Sequence, residues 1–380
     1  MPHTHPVMAR FLARGQPSPD EVAYFLDVHQ FPLTAPGAAV FAFQGNVEHV
    51  ELVRWIHGGA DRQSFSRVPG TNLWLLRLEV EDEGRFEYKL AIRADGHEHL
   101  VTDPYNPLRA QDPFGENSEC RTWGYERPEW SKPRGAPAGR IENLVVESPT
   151  FGETRTERVY LPAGYDADRP YPLVVIHDGD DFVAYADLDI VLDNLIEQGD
   201  IRPVVAALVQ TRDRIDEYAR GRRHARYLVH ELLPALNARY ALSDRAEDRV
   251  LLGASLGAVA SLATAWRFPG VFGGLILKSG SFILDEKRLD GRHAVFHRIA
   301  KLVAAFRRAP RCPAKRAFVS CGALEGLDSE NRALATFLQE RGVAVRFNRA
   351  WDGHHWHNWR DQLRDGLCWV LNPDTAQQVD

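Results

Sequence analysis

The chain has 380 residues, 44% hydrophobic and 26% charged, with a formal net charge of −6. That suffices for one large core or two, and the charge is too near balance to mark a binder of nucleic acid or anionic membrane. No apolar run reaches the roughly 18–20 residues that span a bilayer, and the opening MPHTHPVMARFLARG lacks the apolar core and cleavage site of a secretory signal.

The four cysteines, Cys120, Cys312, Cys321 and Cys368, form no CxxC pair. They fit reduced, mostly buried thiols and a cytoplasmic location. Cys321 continues the apolar run Ala317-Phe318-Val319 and reads as structural.

Residues 1–30 read as a leading helix or arm. Period-two alternation follows in Val40-Phe41-Ala42-Phe43, Val50-Glu51-Leu52-Val53-Arg54-Trp55, Leu73-Trp74-Leu75-Leu76-Arg77-Leu78 and Phe86-Glu87-Tyr88-Lys89-Leu90-Ala91-Ile92. Short strands punctuated by Gly, Asn and Asp predict a β-sandwich over 1–127. Prolines 104, 107, 113, 128, 133 and 137 then stiffen the chain, and 128–140 is expected to be a linker. Over 141–380 apolar strand runs alternate with amphipathic helices. Strands are expected at 172–177, 203–210, 250–252, 275–277, 317–321 and 343–347, and helices at 187–198, 220–240, 256–268, 299–307 and 329–341. This order calls for a mostly parallel sheet with helices on both faces.

Gly253-Ala254-Ser255-Leu256-Gly257 matches G-x-S-x-G between a strand and a helix. A turn that sharp leaves no room for Cβ atoms at the glycines. It presents the serine oxygen at a helix N-terminus, as in the nucleophile elbow of α/β-hydrolases. The base of such a serine comes late in the chain, and Trp351-Asp352-Gly353-His354-His355-Trp356-His357 follows the last expected strand. His354, directly after a glycine, is favoured over His355 and His357; a metal reading of these histidines lacks a completing carboxylate pattern. The acid that orients the imidazole should follow the penultimate strand, where Glu325 and Asp328 are both candidates and Glu325, closer to the strand end, is favoured. Backbone N–H groups of Leu256 and Gly179 would hold an oxyanion. Asp178, Asp180 and Asp181 beside Gly179 also allow a small Ca²⁺ site.

Further motifs recur across nearly the whole length: Gly70-Thr71-Asn72-Leu73-Trp74, Asp103-Pro104-Tyr105-Asn106-Pro107, Phe114-Gly115-Glu116-Asn117-Ser118, Arg158-Val159-Tyr160-Leu161-Pro162, Glu231-Leu232-Leu233-Pro234 and Trp359-Arg360. With the serine, acid and histidine stations, they make the chain resemble the enterochelin (ferric-enterobactin) esterase family, in the esterase-D group of α/β-hydrolases. The resemblance implies Ser255 as nucleophile, His354 as base and Glu325 as acid, an immunoglobulin-like sandwich before the catalytic domain, and cytoplasmic cleavage of a catecholate siderophore lactone. Asp352 and His355 depart from the family's Gly-Gly-His-Asp pattern, where substrate contacts are expected.

An anionic catecholate calls for a basic, aromatic site. Arg214 and Arg220, from a cluster of arginines over 212–226, are the expected contacts with Asp178 and Trp356. Another small acyl or aryl ester, of feruloyl or acetyl-sugar type, is the alternative substrate, and a non-catalytic binding module is the third reading. The chemistry needs no cofactor and no metal. The partner is a small-molecule ester, neither nucleic acid nor membrane, and an oligomer is allowed.

Overall fold

The computed structural model describes residues 5–56, 59–283, 294–308 and 311–372. Its contacts separate two units. The first is Met1–Glu126 with two later segments, Gly322–Gly326 and Ala350–His355; the second is Arg127–Cys321, Leu327–Arg349 and Trp356–Asp380. Both later segments fall in the stretch 141–380 that was expected to form one domain.

The first unit opens with helices α1 (Pro6–Leu12) and α2 (Pro19–Asp27). Ser18 and Glu21 close a reciprocal capping box at the start of α2. Strands β1 (Leu33–Ala35), β2 (Ala38–Gln44), β3 (His49–Ile56), β4 (Gly59–Ser64), β5 (Ser66–Arg67), β6 (Leu73–Glu79), β7 (Arg85–Ala94), β8 (His97–Val101), β9 (Arg109–Asp112) and β10 (Gly115–Arg121) follow. One sheet runs β1-β2-β6-β5, the other β4-β3-β7-β10-β9 with β8 against β7. Alternation puts Phe41, Trp74 and Leu76 of the first sheet in one core with Leu52, Phe86, Tyr88 and Leu90 of the second. Leu324 and Trp351, from the two later segments, pack on that same core.

The second unit holds β11 (Arg140–Ser148), β12 (Glu153–Leu161), β13 (Leu173–His177), α3 (Gly179–Ala186), α4 (Leu188–Glu197), β14 (Val205–Val209), α5 (Arg214–Arg220), α6 (Arg222–Tyr227), α7 (Leu233–Arg239), β15 (Arg249–Ala254), α8 (Leu256–Arg267), β16 (Gly274–Lys278), α9 (Ala294–Arg308), β17 (Arg316–Gly322), α10 (Asp328–Glu340), β18 (Ala344–Ala350), α11 (Trp356–Asp361) and α12 (Leu363–Leu371). Its mixed sheet has the order β11-β12-β14-β13-β15-β16-β17-β18. β11, β12 and β14 pair antiparallel, whereas β14-β13, β13-β15, β15-β16 and β16-β17 pair parallel. Val175, Leu251 and Leu275 belong to the core on one face, and Val174, Ile176, Leu252 and Ile276 to the core on the other. That double burial is why these strands read as unbroken apolar runs.

The helix expected over 220–240 is present from Arg222 to Arg239, as α6 and α7 joined through a π-turn with right-handed helical dihedrals at both junctions. Gly221 takes φ +61° between α5 and α6, and a π-turn at Leu228–Leu232 precedes α7. Pro234, near the start of α7, has no N–H to continue the α-helical ladder. Helix α3 was not anticipated: its eight residues directly follow a strand and include two acids, which reads as loop.

Candidate active site

The sharp turn at Ser255 shows in its backbone, φ +54° and ψ −118°, a region costly for a residue with a Cβ. Two glycines make it possible. A Cβ on Gly253 would stand 2.3 Å from the Gly257 carbonyl carbon, and one on Gly257 would stand 3.1 Å from His177 Cβ. The Ser255 N–H donates to the Lys278 carbonyl at 2.9 Å, tying the elbow to β16. Ser255 Oγ lies 3.2 Å from Ser281 Oγ, and Leu256 begins α8 at the exposed N–H end of the helix.

Beside the elbow, Asp178 at the end of β13 also has positive φ, +55°. Its N–H faces the Tyr218 hydroxyl at 3.2 Å. Gly179 is required next to it, because a Cβ there would come within 2.4 Å of Leu208 Cα. Asp178 and Arg214, both expected to touch substrate, touch each other: Arg214 Nη2 donates to Asp178 Oδ2 at 2.8 Å and Nε bridges both carboxylate oxygens at 3.0 Å. Only 3% of Asp178 is exposed, and its carboxylate is engaged by Arg214. Arg220 belongs to α5, but its side chain lies outside the described residues. Trp356 packs edge-on to Phe182 and Trp359, at 5.2 and 4.8 Å between ring centres. Arg222, Arg223 and Arg226 line, with His230, Arg267 and Phe268, a separate cavity of about 850 Å³.

In the first unit, His354 Nδ1 is 2.6 Å from Glu325 Oε2. Glu325 is completely buried, and its other oxygen accepts the Gly322 N–H. A carboxylate so placed fixes Nδ1 as the protonated nitrogen and leaves Nε2 as the basic one. Of the two candidate acids, Glu325 is the one in contact with His354. Asp328 starts α10 and faces Arg332 and Arg349, at 3.5 and 3.7 Å. The departures from the Gly-Gly-His-Asp pattern are also internal. Asp352 pairs with Arg85 at 2.8 Å, and His355 Nδ1 lies 3.4 Å from Glu87.

Among the described residues no group of three or more His, Cys, Asp or Glu side chains is arranged to hold a metal ion. Asp180, one of the three acids considered for Ca²⁺, is paired with Arg158 at 2.8 Å. Among the same residues no helix is long and apolar enough to cross a membrane. Arg85 and Ser281 had no signal in the sequence. One is an arginine in an alternating strand, and the other a serine in an ordinary-looking Ser-Gly-Ser turn.

The sequence model of the Esterase family matches residues 148–370. The chain belongs to the Esterase family. It is a carboxylic ester hydrolase. It is 27% identical to the uncharacterized protein YjcH of Bacillus subtilis strain 168, over 61% of this chain and 98% of that one. With the iron(III) enterobactin esterase of Dickeya dadantii strain 3937 it shares 24% identity, over 84% of this chain and 82% of the relative. Its fold matches the crystal structure of the enterobactin esterase FES of Shigella flexneri with a TM-score of 0.69. That match has 20% identity and covers 88% and 93% of the two chains.

Proposed function

We propose that this esterase works by acyl transfer through Ser255, His354 and Glu325 on an α/β-hydrolase framework, and that its substrate is the lactone of a catecholate siderophore. The observation that carries the mechanism is the 2.6 Å Glu325–His354 contact, together with the strained elbow at Ser255 and the chain order serine, acid, histidine. His354 takes the Ser255 proton as Oγ attacks the ester carbonyl. The N–H groups of Leu256 and Gly179 hold the oxyanion. His354 then returns the proton to the leaving alkoxide, and water cleaves the acyl-enzyme by the same route. Every step balances with protein groups and water. Iron enters only as cargo of the substrate.

The substrate reading draws support from the likeness to the Dickeya iron(III) enterobactin esterase, which spans 84% of the chain and so includes the β-rich first part. In this reading that part is an immunoglobulin-like sandwich, and the protein acts in the cytoplasm. The test is hydrolysis of ferric and iron-free enterobactin beside p-nitrophenyl acetate and methyl ferulate, by wild type and Ser255→Ala. Trilactone cleavage that Ser255→Ala abolishes supports the proposal. Serine-dependent turnover of the simple esters or methyl ferulate alone would replace the siderophore with another small ester. Full activity in Ser255→Ala would overturn the mechanism.

A further inference from the structure

The residues on either side of Gly353-His354 are ionisable, and both are held by one strand of the β-rich unit. β7 begins with Arg85 and, two residues on, Glu87, which period-two geometry puts on the same face. Arg85 Nη1 donates to Asp352 Oδ2 at 2.8 Å, and Nη2 to Glu87 Oε1 at 2.8 Å. Glu119 of the neighbouring strand β10 stands 3.5 Å from the same guanidinium. None of these four residues is more than 3% exposed. Beyond the histidine, His355 Nδ1 meets the other oxygen of Glu87 at 3.4 Å.

Asp352 is a junction as well as a partner. Its Oδ1 accepts the N–H of Gly353 at 2.6 Å, and its backbone oxygen accepts the N–H of Leu324, next to Glu325, at 3.0 Å. The loop bearing the base and the loop bearing the acid are thus joined at the residue that Arg85 grips. The Arg85 N–H also donates to the Trp351 carbonyl at 3.1 Å. Trp351 approaches so closely that a Cβ on Gly84 would stand 2.7 Å from its oxygen.

We infer that Arg85 is a positioning residue for the catalytic imidazole, acting through Asp352, with Glu87 steadying the far side of the loop through His355. The inference rests on His354 being the base. A buried ionic cluster is a poor way to stabilise a β-sheet, since apolar residues of equal volume do as well. A guanidinium fork, however, fixes two carboxylates at once in a defined plane, which a lysine ammonium does not. That suits a loop whose histidine must be held within a fraction of an ångström.

The test uses the full chain with Asp352→Asn and Arg85→Lys, counting competent serines with a fluorophosphonate and following p-nitrophenyl acetate turnover. Asp352→Asn leaves Arg85 compensated by Glu87 and Glu119, so the fold is retained. The expected result is a kcat per titrated serine about 10–100-fold below wild type, with KM little changed. Arg85→Lys should fall between Asp352→Asn and wild type. Wild-type kcat per titrated serine in both variants would overturn the inference. So would a loss confined to the number of titratable serines, the signature of a merely structural role. A His354→Ala control separates the two levels: activity retained there would strike the assignment of the base instead.

Discussion

Ser281 Oγ is within hydrogen-bond distance of Ser255 Oγ, at 3.2 Å, and the segment bearing it is tied down residue by residue. Trp359 Nε1 donates to Ser279 Oγ at 2.9 Å, and Asn331 both receives the Gly280 N–H and donates to the Gly280 carbonyl, each at 2.9 Å. The Ser281 N–H reaches the Ser255 carbonyl at 3.4 Å.

A hydroxyl so fixed can donate to Ser255 Oγ as that oxygen gives up its proton. Ser281→Ala should slow acylation about 3–10-fold, the worth of one ordinary hydrogen bond. Ser281→Thr should retain most of the rate. Burst kinetics with p-nitrophenyl acetate read the step directly, and equal rates in wild type and Ser281→Ala would remove Ser281 from the chemistry.

Glu325→Gln keeps the size of the side chain but removes the charge beside Nδ1. A drop in kcat of roughly 10²–10⁴ is expected, the range seen when a triad acid loses its charge. Asp328→Asn should cost little, because that carboxylate faces Arg332 and Arg349. Comparing the two variants in one assay checks whether contact with His354 is what matters.

The Arg214–Asp178 pair predicts strong coupling. Removing the arginine leaves a nearly buried carboxylate next to the turn that carries Gly179, so Arg214→Met should lower both the melting temperature and kcat. In the double variant Arg214→Met/Asp178→Asn the lone charge is gone, and part of the stability should return. The interaction energy expected from the cycle is about 1–3 kcal/mol, measured by urea unfolding. Additive effects would mean the two side chains merely lie side by side.

Lys278 gives a pH signature in stability. Its Nζ is buried with no hydrogen-bond partner among the described residues, 5.4 Å from the Phe318 ring centre. Burial pushes its pKa down to about 7, against a weaker upward pull from Asp365 and Asp361. In the unfolded chain the group titrates near 10.4. Between these values the unfolded chain binds more protons, so this lysine makes stability rise with pH across that window. Below about pH 7 its full cost is present; above about pH 10 it vanishes. Lys278→Met should therefore stabilise the protein by about 1–4 kcal/mol at neutral pH and below, a gain that shrinks as pH rises. Denaturant melts at pH 6, 8 and 10 test this, and a gain independent of pH would contradict it.

The residues proposed for the site carry a local signal because chemistry constrains them. Gly253 and Gly257 are dictated by the elbow, and Glu325 and His354 by where strands end. Glu325 and Asp328 differ by three positions in one loop; nearness to the strand end favours Glu325, and Glu325 is the one in contact with His354. Asp178 and Arg214 lie 36 residues apart, so nothing local marks their mutual pairing. Arg85 and Asp352 are 267 positions apart, and an arginine in a strand of mixed polarity looks solvated until its partners are known. Helix α3 was missed because acids in a first turn, favourable at a helix N-terminus, resemble a polar loop.

The first unit draws Leu324 and Trp351 into its core from segments that follow β17 and β18. A ribosome delivers the β-rich part early, yet that part lacks two of its wall residues and the Asp352 carboxylate until more than 350 residues have been made. What is translated first is finished last. The boundary near residue 127 is therefore a seam in the chain rather than a place to cut: a fragment ending there would expose the face meant for Trp351, and a fragment starting there would separate Asp352 from its arginine.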